Sequence, residues 1–287
     1  MAGLALAVFL LAQAAPATAP GTEIRAITVT LLDEKRSEPV TVSAADIALL
    51  ENGVGRDVVS FKPDTRPLSV AILVDSSANV GSAYRLNLVD AVVGLVARLP
   101  EGARYAVWTT GDRPTKIVDY TDDRGAAQGA LKRVFPQGGN YMLDAFGEAS
   151  SDLKKVGREG DRTAMVAVTE TGIEFSSTDR YRAAEETAKN ISLFLGVQIE
   201  VGEADFETRT SLSYVLERLA RSTGGGYDVI LSAMGIDGAL KKASAHLRGG
   251  YRLTYATAAD IKKRKLDLSV ARPGTKVLFP ANQEREP

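Results

Sequence analysis

Three short stretches of this sequence hold side chains able to bind or react. Asp75-Ser76-Ser77-Ala78-Asn79 follows the apolar run Val70-Ala71-Ile72-Leu73-Val74, and Thr169-Glu170-Thr171-Gly172 follows Ala164-Met165-Val166-Ala167-Val168. Gln137-Gly138-Gly139-Asn140 precedes a helical stretch that opens near Tyr141. All three offer carboxylate, hydroxyl or amide oxygens, and none offers imidazole or thiolate. Hard cations such as Mg²⁺ take that ligand set, at roughly 2.0–2.1 Å in near-octahedral geometry with waters retained. The 287 residues include one histidine, His246, and no cysteine. Zinc sites of His and Cys are thereby nearly excluded, and a Ser–His–Asp triad would need that one imidazole. Ser76 and Ser77 lack both a G-x-S-x-G elbow and a placed base. Asp75 as an aspartyl nucleophile is the better enzymatic reading, yet Ser77 stands where that chemistry usually wants a second carboxylate. The expectation is a binding protein that catalyses nothing; the alternative is a Mg²⁺-dependent, aspartate-based phosphohydrolase.

Other motifs read as structure. Gly224-Gly225-Gly226 lacks the Lys and Ser/Thr of a phosphate loop and reads as a helix stop. Lys262-Lys263-Arg264-Lys265 lies between strand-like runs and reads as a solvated hairpin tip, not a nucleic-acid patch. A formal net charge of -1 likewise gives no support for nucleic acid or an anionic membrane. His246 shares helical spacing with Leu240, Ala243 and Leu247 and is expected to be partly buried and structural. Asp144 opens the helix after the Gly-Gly loop, where a carboxylate favours the N-terminal dipole.

The elements that must position these residues follow from periodicity. With 25% charged and 45% apolar residues the chain is an ordinary globular one. Met1 to Thr22 carries no charge, and Leu4–Ala15 is almost wholly apolar but too short to span a bilayer, which needs about 20 residues. Ala12-Gln13-Ala14 fits a cleavage site, so residues 1–22 read as a signal peptide of a secreted or periplasmic protein. Residues 23–66 alternate with period two (Ile27, Val29, Leu31; Val59, Phe61), with Asn52-Gly53 as a turn. From Pro67 the continuous apolar runs, including Leu193-Phe194-Leu195, read as strands buried on both faces. Helical stripes lie between them: Leu86, Val89, Val93 and Val96 on one face, Leu212, Val215, Leu216 and Leu219 on another. Tyr105-Ala106-Val107-Trp108 and Lys116-Ile117-Val118 read as a further strand pair. Strands alternating with helices predict a doubly wound, mostly parallel α/β sheet, whose ligands sit at the strands' carboxyl ends.

These motifs, in this order, resemble the von Willebrand factor A domain, in which a strand ends in Asp-x-Ser-x-Ser, a Gly-Gly-Thr precedes a helix and a strand ends in Thr-Asp-Gly. The similarity is nearest to the bacterial "VWFA-related" proteins. Leu49-Leu50-Glu51-Asn52-Gly53 with Val59-Ser60-Phe61 is similar to their lead segment, Leu219-Ala220-Arg221-Ser222-Thr223-Gly224-Gly225 to their late helix, and Gly250-Tyr251-Arg252-Leu253-Thr254-Tyr255 to their closing strand. The resemblance implies a metal-ion-dependent adhesion site at Asp75, Ser77, Asn79, Asn140 and Glu170. It also implies Mg²⁺ or another divalent cation, and a protein partner whose carboxylate completes the coordination. Asn79 and Asn140 replace hydroxyl residues and Glu170 replaces aspartate. Metal binding and a vestigial polar cluster, in a protein-binding module or a metal-free scaffold, therefore both stay open.

Residues 23–66 and the tail 249–287 each have one apolar face and no partner within their own stretch. In the tail, Tyr251, Leu253 and Tyr255 alternate with polar residues, as do Leu266, Leu268 and Val270; Pro273-Gly274 marks a turn. Isolated strand pairs are marginal in water. The two pieces are therefore expected to form one β-sandwich, with residues 67–248 as an A-like domain inserted between them.

Overall fold

The computed structural model describes residues 21–157, 160–200, 206–280 and 282–284. Of the predicted leader 1–22, residues 1–20 lie outside the described residues, while Thr22 already opens the first strand. The elements follow in chain order. β1 (Thr22–Asp33), β2 (Ile47–Glu51), β3 (Val54–Arg56) and β4 (Val58–Pro63) lead into β5 (Leu68–Val74) and α1 (Ser82–Ala97). β6 (Arg104–Thr109), β7 (Thr115–Thr121), α2 (Ala126–Leu131), α3 (Met142–Val156), β8 (Arg162–Glu170), α4 (Arg180–Asn190), β9 (Leu193–Ile199), α5 (Phe206–Thr223), β10 (Gly226–Ile230) and α6 (Ile236–Arg248) complete the α/β body. β11 (Gly250–Ala258), β12 (Lys263–Val270), β13 (Thr275–Leu278) and β14 (Asn282–Glu284) close the chain.

The body is a six-stranded sheet in the order β10-β9-β8-β5-β6-β7, with only β7 antiparallel. Continuous apolar strands dictate cover on both faces. Side chains of α1, α2 and α6 pack one face through Val70, Ile72, Val166 and Leu195, while α3, α4 and α5 pack the other through Ala71, Leu73, Met165 and Phe194. The α1 stripe is displaced from the expected one. Tyr84, Leu88, Ala91, Val92, Leu95 and Val96 are buried, and Leu86 is 76% exposed. Tyr84 sets that rotation, its hydroxyl donating to Val168 O at 3.0 Å. The expected stop after α5 is real: Gly224 has φ +68°, and a side chain on Gly225 would meet the Phe194 carbonyl. His246 is buried as expected; burial pulls its pKa down to about 4.

The terminal segments do meet. β1 pairs antiparallel with β11 (Ile27 opposite Leu253, Val29 opposite Tyr251), β11 with β4 (Leu253 opposite Phe61) and β12 with β2 (Leu268 opposite Leu49). Two four-stranded sheets result, β13-β1-β11-β4 and β14-β12-β2-β3. Between them lie Ile27, Val29, Leu31, Leu49, Leu253, Tyr255, Leu266 and Leu268, and Phe61 stacks on Tyr251 at 4.6 Å. Two expectations need correcting here. A register shift opposite Thr254/Tyr255 brings Val58 and Phe61 against the core and leaves Val59 45% exposed. Arg264 is not part of a solvated tip: its side chain is fully buried, with Nε 2.9 Å from Glu51 Oε1.

Glu51 also receives Arg56 Nε at 2.8 Å and the hydroxyls of Tyr255 and Thr257. A second charged cluster joins sandwich and body. Asp64 accepts two hydrogen bonds from the Arg66 guanidinium (2.8 and 2.6 Å), and Arg162, at the start of β8, donates to Asp64 O and Leu247 O. Burial opposes ionisation of Asp64, but the Arg66 hydrogen bonds and the Arg162 charge prevail and hold its carboxyl below the ordinary range. Among the described residues no helix is long and apolar enough to cross a membrane.

Candidate functional site

From β5 the chain runs outward to β6 and β7, then returns to β8 on the opposite side of β5. Strand order therefore reverses at β5, and the carboxyl ends of β5 and β8 frame the crevice. Asp75 follows β5, Glu170 ends β8, and the 137–140 loop closes over both. A side chain on Gly139 would collide with the Phe175 ring, so glycine lets the loop pack against that ring.

Asp75 is 3% exposed, and both its oxygens accept hydrogen bonds. Its Oδ1 accepts the Ser77 backbone N–H at 2.9 Å. Its Oδ2 accepts Thr169 Oγ1 at 2.9 Å, Asn140 Nδ2 at 3.0 Å and the Glu170 N–H at 3.4 Å. Burial raises its pKa above the usual carboxylate value, against the pull of those bonds. Asn140, also 3% exposed, turns its amide nitrogen to Asp75 and Thr169, while its Oδ1 accepts Thr110 Oγ1 at 2.6 Å. Glu170 Oε2 accepts the Gly81 N–H at 3.1 Å, the residue that precedes α1, where the helix dipole favours an anion. Burial, then the charge of Asp75, raises Glu170 as well.

Of the five predicted residues, Asp75, Ser77, Asn140 and Glu170 come together. Asn79 is exposed and lies toward Gly172. Sequence reasoning missed Thr110, and it named Thr169 and Ser76 in their loops without placing them in the site; Thr110 and Thr169 share the network, and Ser76 Oγ accepts the Gly111 N–H at 2.9 Å. Thr110 follows β6 just as Asp75 follows β5, so the strand-end rule applied to a third strand finds it. Asp144 does stand in the first turn of α3 but spends its carboxylate on Ser177 N and Thr178 N. Glu174 is the outlier. Its Oε1 binds Ser176, its Oε2 has no hydrogen-bond partner, and burial pushes its pKa up to about 7.

Large apolar side chains are exposed at this end of the sheet, among polar ones. Leu86 (76% exposed), Phe135 (67%), Ile173 (56%), Phe175 (50%), Leu231 (81%) and Met234 (78%) lie on α1 or on connections at this end of the sheet. They account for six of the twelve exposed large apolar side chains described.

A doubly wound body with oxygen-bearing loops at its switch point defines an A-type module, and the comparisons agree. A profile of the von Willebrand factor type A domain matches residues 70–172, within the α/β body. A search of curated proteins returns no match. Among solved structures, a von Willebrand factor type A protein from Catenulispora acidiphila aligns with 96% of this chain and 75% of its own, at 11% identity and TM-score 0.54. Proximal thread matrix protein 1 of the mussel byssus aligns over 69% of this chain and 50% of its own, at 16% identity and TM-score 0.52. The same mussel protein with a zinc-occupied MIDAS motif scores 0.50 at 15% identity, over 69% and 49% of the two chains. At such identities the likeness shows the fold alone.

A divalent cation would need oxygen lone pairs converging on one point. Here Asp75 Oδ2 is ringed by three protein donors, residue 140 presents N–H groups, and Asn79 lies outside. Among the described residues no group of three His, Cys, Asp or Glu side chains is placed to hold a metal ion. As arranged, these residues do not fit one.

Proposed function

We propose that this chain is an extracytoplasmic protein-binding module of the adhesion type that catalyses nothing, and that it meets its partner through the apolar rim around the carboxyl end of the sheet. One observation carries the reading: among the described residues, half of the large exposed apolar side chains lie at that end of the sheet, and exposed apolar patches mark interaction surfaces. The uncharged apolar leader supports export. The burial of Asp75 supports a non-enzymatic role, since a nucleophile must meet its substrate. In this reading the partner supplies apolar contact and not a carboxylate completing a metal site.

The test is affinity capture from the extracytoplasmic fraction, with the parent chain and a Phe175→Ser/Leu231→Ser variant, each with and without chelator. The expected result is a partner held by the parent in both buffers and lost by the variant. Equal capture by both proteins would refute the rim and favour a scaffold. Mg²⁺-dependent hydrolysis of an aryl phosphate that Asp75→Asn abolishes would establish the phosphohydrolase instead.

A further inference from the structure

We infer that the Asn140 amide occupies the place of a cation in this domain, cross-linking the β5, 137–140 and β8 loops by hydrogen bonds so that the site is fixed without metal. The chemistry of the amide decides its orientation. Asp75 is buried and, when ionised, can only accept. Turning the amide over would set Asn140 Oδ1 against the Asp75 carboxylate and forfeit the bonds that Nδ2 makes to Asp75 Oδ2 and Thr169 Oγ1. In the present orientation Nδ2 donates to both and Oδ1 accepts from Thr110, so every polar atom of the amide is used. An amide N–H is no metal ligand, and it stands where an ion bridging Asp75 and residue 140 would have to sit.

The backbone prevents the side chain from withdrawing. Asn140 bridges Gly111 on one side and Glu174 on the other. Its carbonyl accepts the Phe175 N–H at 2.8 Å, and the adjoining Tyr141 N–H donates to Thr110 O at 3.0 Å. The loop is further stitched to the Asp75 stretch by Ala78 N to Gly138 O and Gln137 N to Ser76 O, both at 3.0 Å. Opening Asp75 Oδ2 to an ion would strip buried polar groups of their partners, which the interior penalises. The feature that resembles a decayed site is thus a completed one of another kind.

The experiment measures Mn²⁺ binding by equilibrium dialysis and the melting temperature in chelator and in millimolar Mn²⁺ or Mg²⁺. For the parent chain the inference expects no saturable binding and no change in melting temperature. Asn140→Asp places a carboxylate where Nδ2 now lies 3.0 Å from Asp75 Oδ2. It should gain saturable Mn²⁺ binding and a melting temperature raised by several degrees with metal, because a ligand of the folded state stabilises it. Adding Asp75→Asn should remove that gain. Asn140→Ser, which carries no new charge, serves in its place if Asn140→Asp does not fold. Saturable parent binding that raises the melting temperature and vanishes in Asp75→Asn overturns the inference. So does a folded Asn140→Asp that gains nothing.

Discussion

Four carboxylates are buried among the described residues, and they divide by place. Glu51 in the sandwich and Asp64 at the junction each face two arginines, Arg264 with Arg56 and Arg66 with Arg162. Asp75 and Glu170, at the carboxyl end of the sheet, receive only backbone, hydroxyl and amide donors. Both solutions satisfy the oxygens, but only an arginine also cancels the charge. The difference teaches what each region is for. In the sandwich the Glu51–Arg264 pair fastens segments more than two hundred positions apart in the chain. At the sheet end the charge is left in place and only its hydrogen bonds are met.

Breaking the sandwich pattern should have the largest effect. Arg264→Met leaves Glu51 buried without its full counter-charge and is expected to cost about 3–5 kcal/mol in urea unfolding; a loss below ~1 kcal/mol would show that Arg56 suffices. Glu174 sharpens the other side of the contrast. Its folded pKa, about 7, lies above the ordinary 4.5, so the stability it lends is complete below pH 4.5 and is lost as pH rises through about 7. Glu174→Gln should therefore be more stable than the parent at pH 8 by ~3 kcal/mol, at about 1.4 kcal/mol per unit, and near parity at pH 4; equal stability at both pH values would show that the group is solvated. Asp75→Asn should cost least, ~1–2 kcal/mol, because one face of the amide can still accept while the other meets donors. A cost as large as that of Arg264→Met would erase the distinction between the regions.

The sheet, its buried strands and the pairing of the two chain ends were legible because period two and continuous apolar runs report directly on which faces are covered. Asp75, Asn140 and Glu170 were legible as strand-end or loop residues. Their wiring was not, because hydrogen-bond direction depends on contacts between loops distant in sequence. Leu86 misled for a related reason: 3.6-residue spacing allows neighbouring stripes on α1, and Tyr84 selects among them through Val168. Arg264 was readable after all. It shares its face with Leu266 and Leu268, an alternation that runs back into the basic run.

The pairing of Pro63 with Tyr251 has a mechanical consequence. The chain enters the α/β body and leaves it on adjacent antiparallel strands, and Asp64 N donates to Gly250 O at 2.9 Å just where they part. Tension applied between β1 and β13 runs through the sandwich ladders, because the entry and exit of the body are already clamped together. The body hangs beside the load path like a weight on a closed loop. A stretched molecule would unzip its sandwich before any strain reached Asp75 and the rim above it.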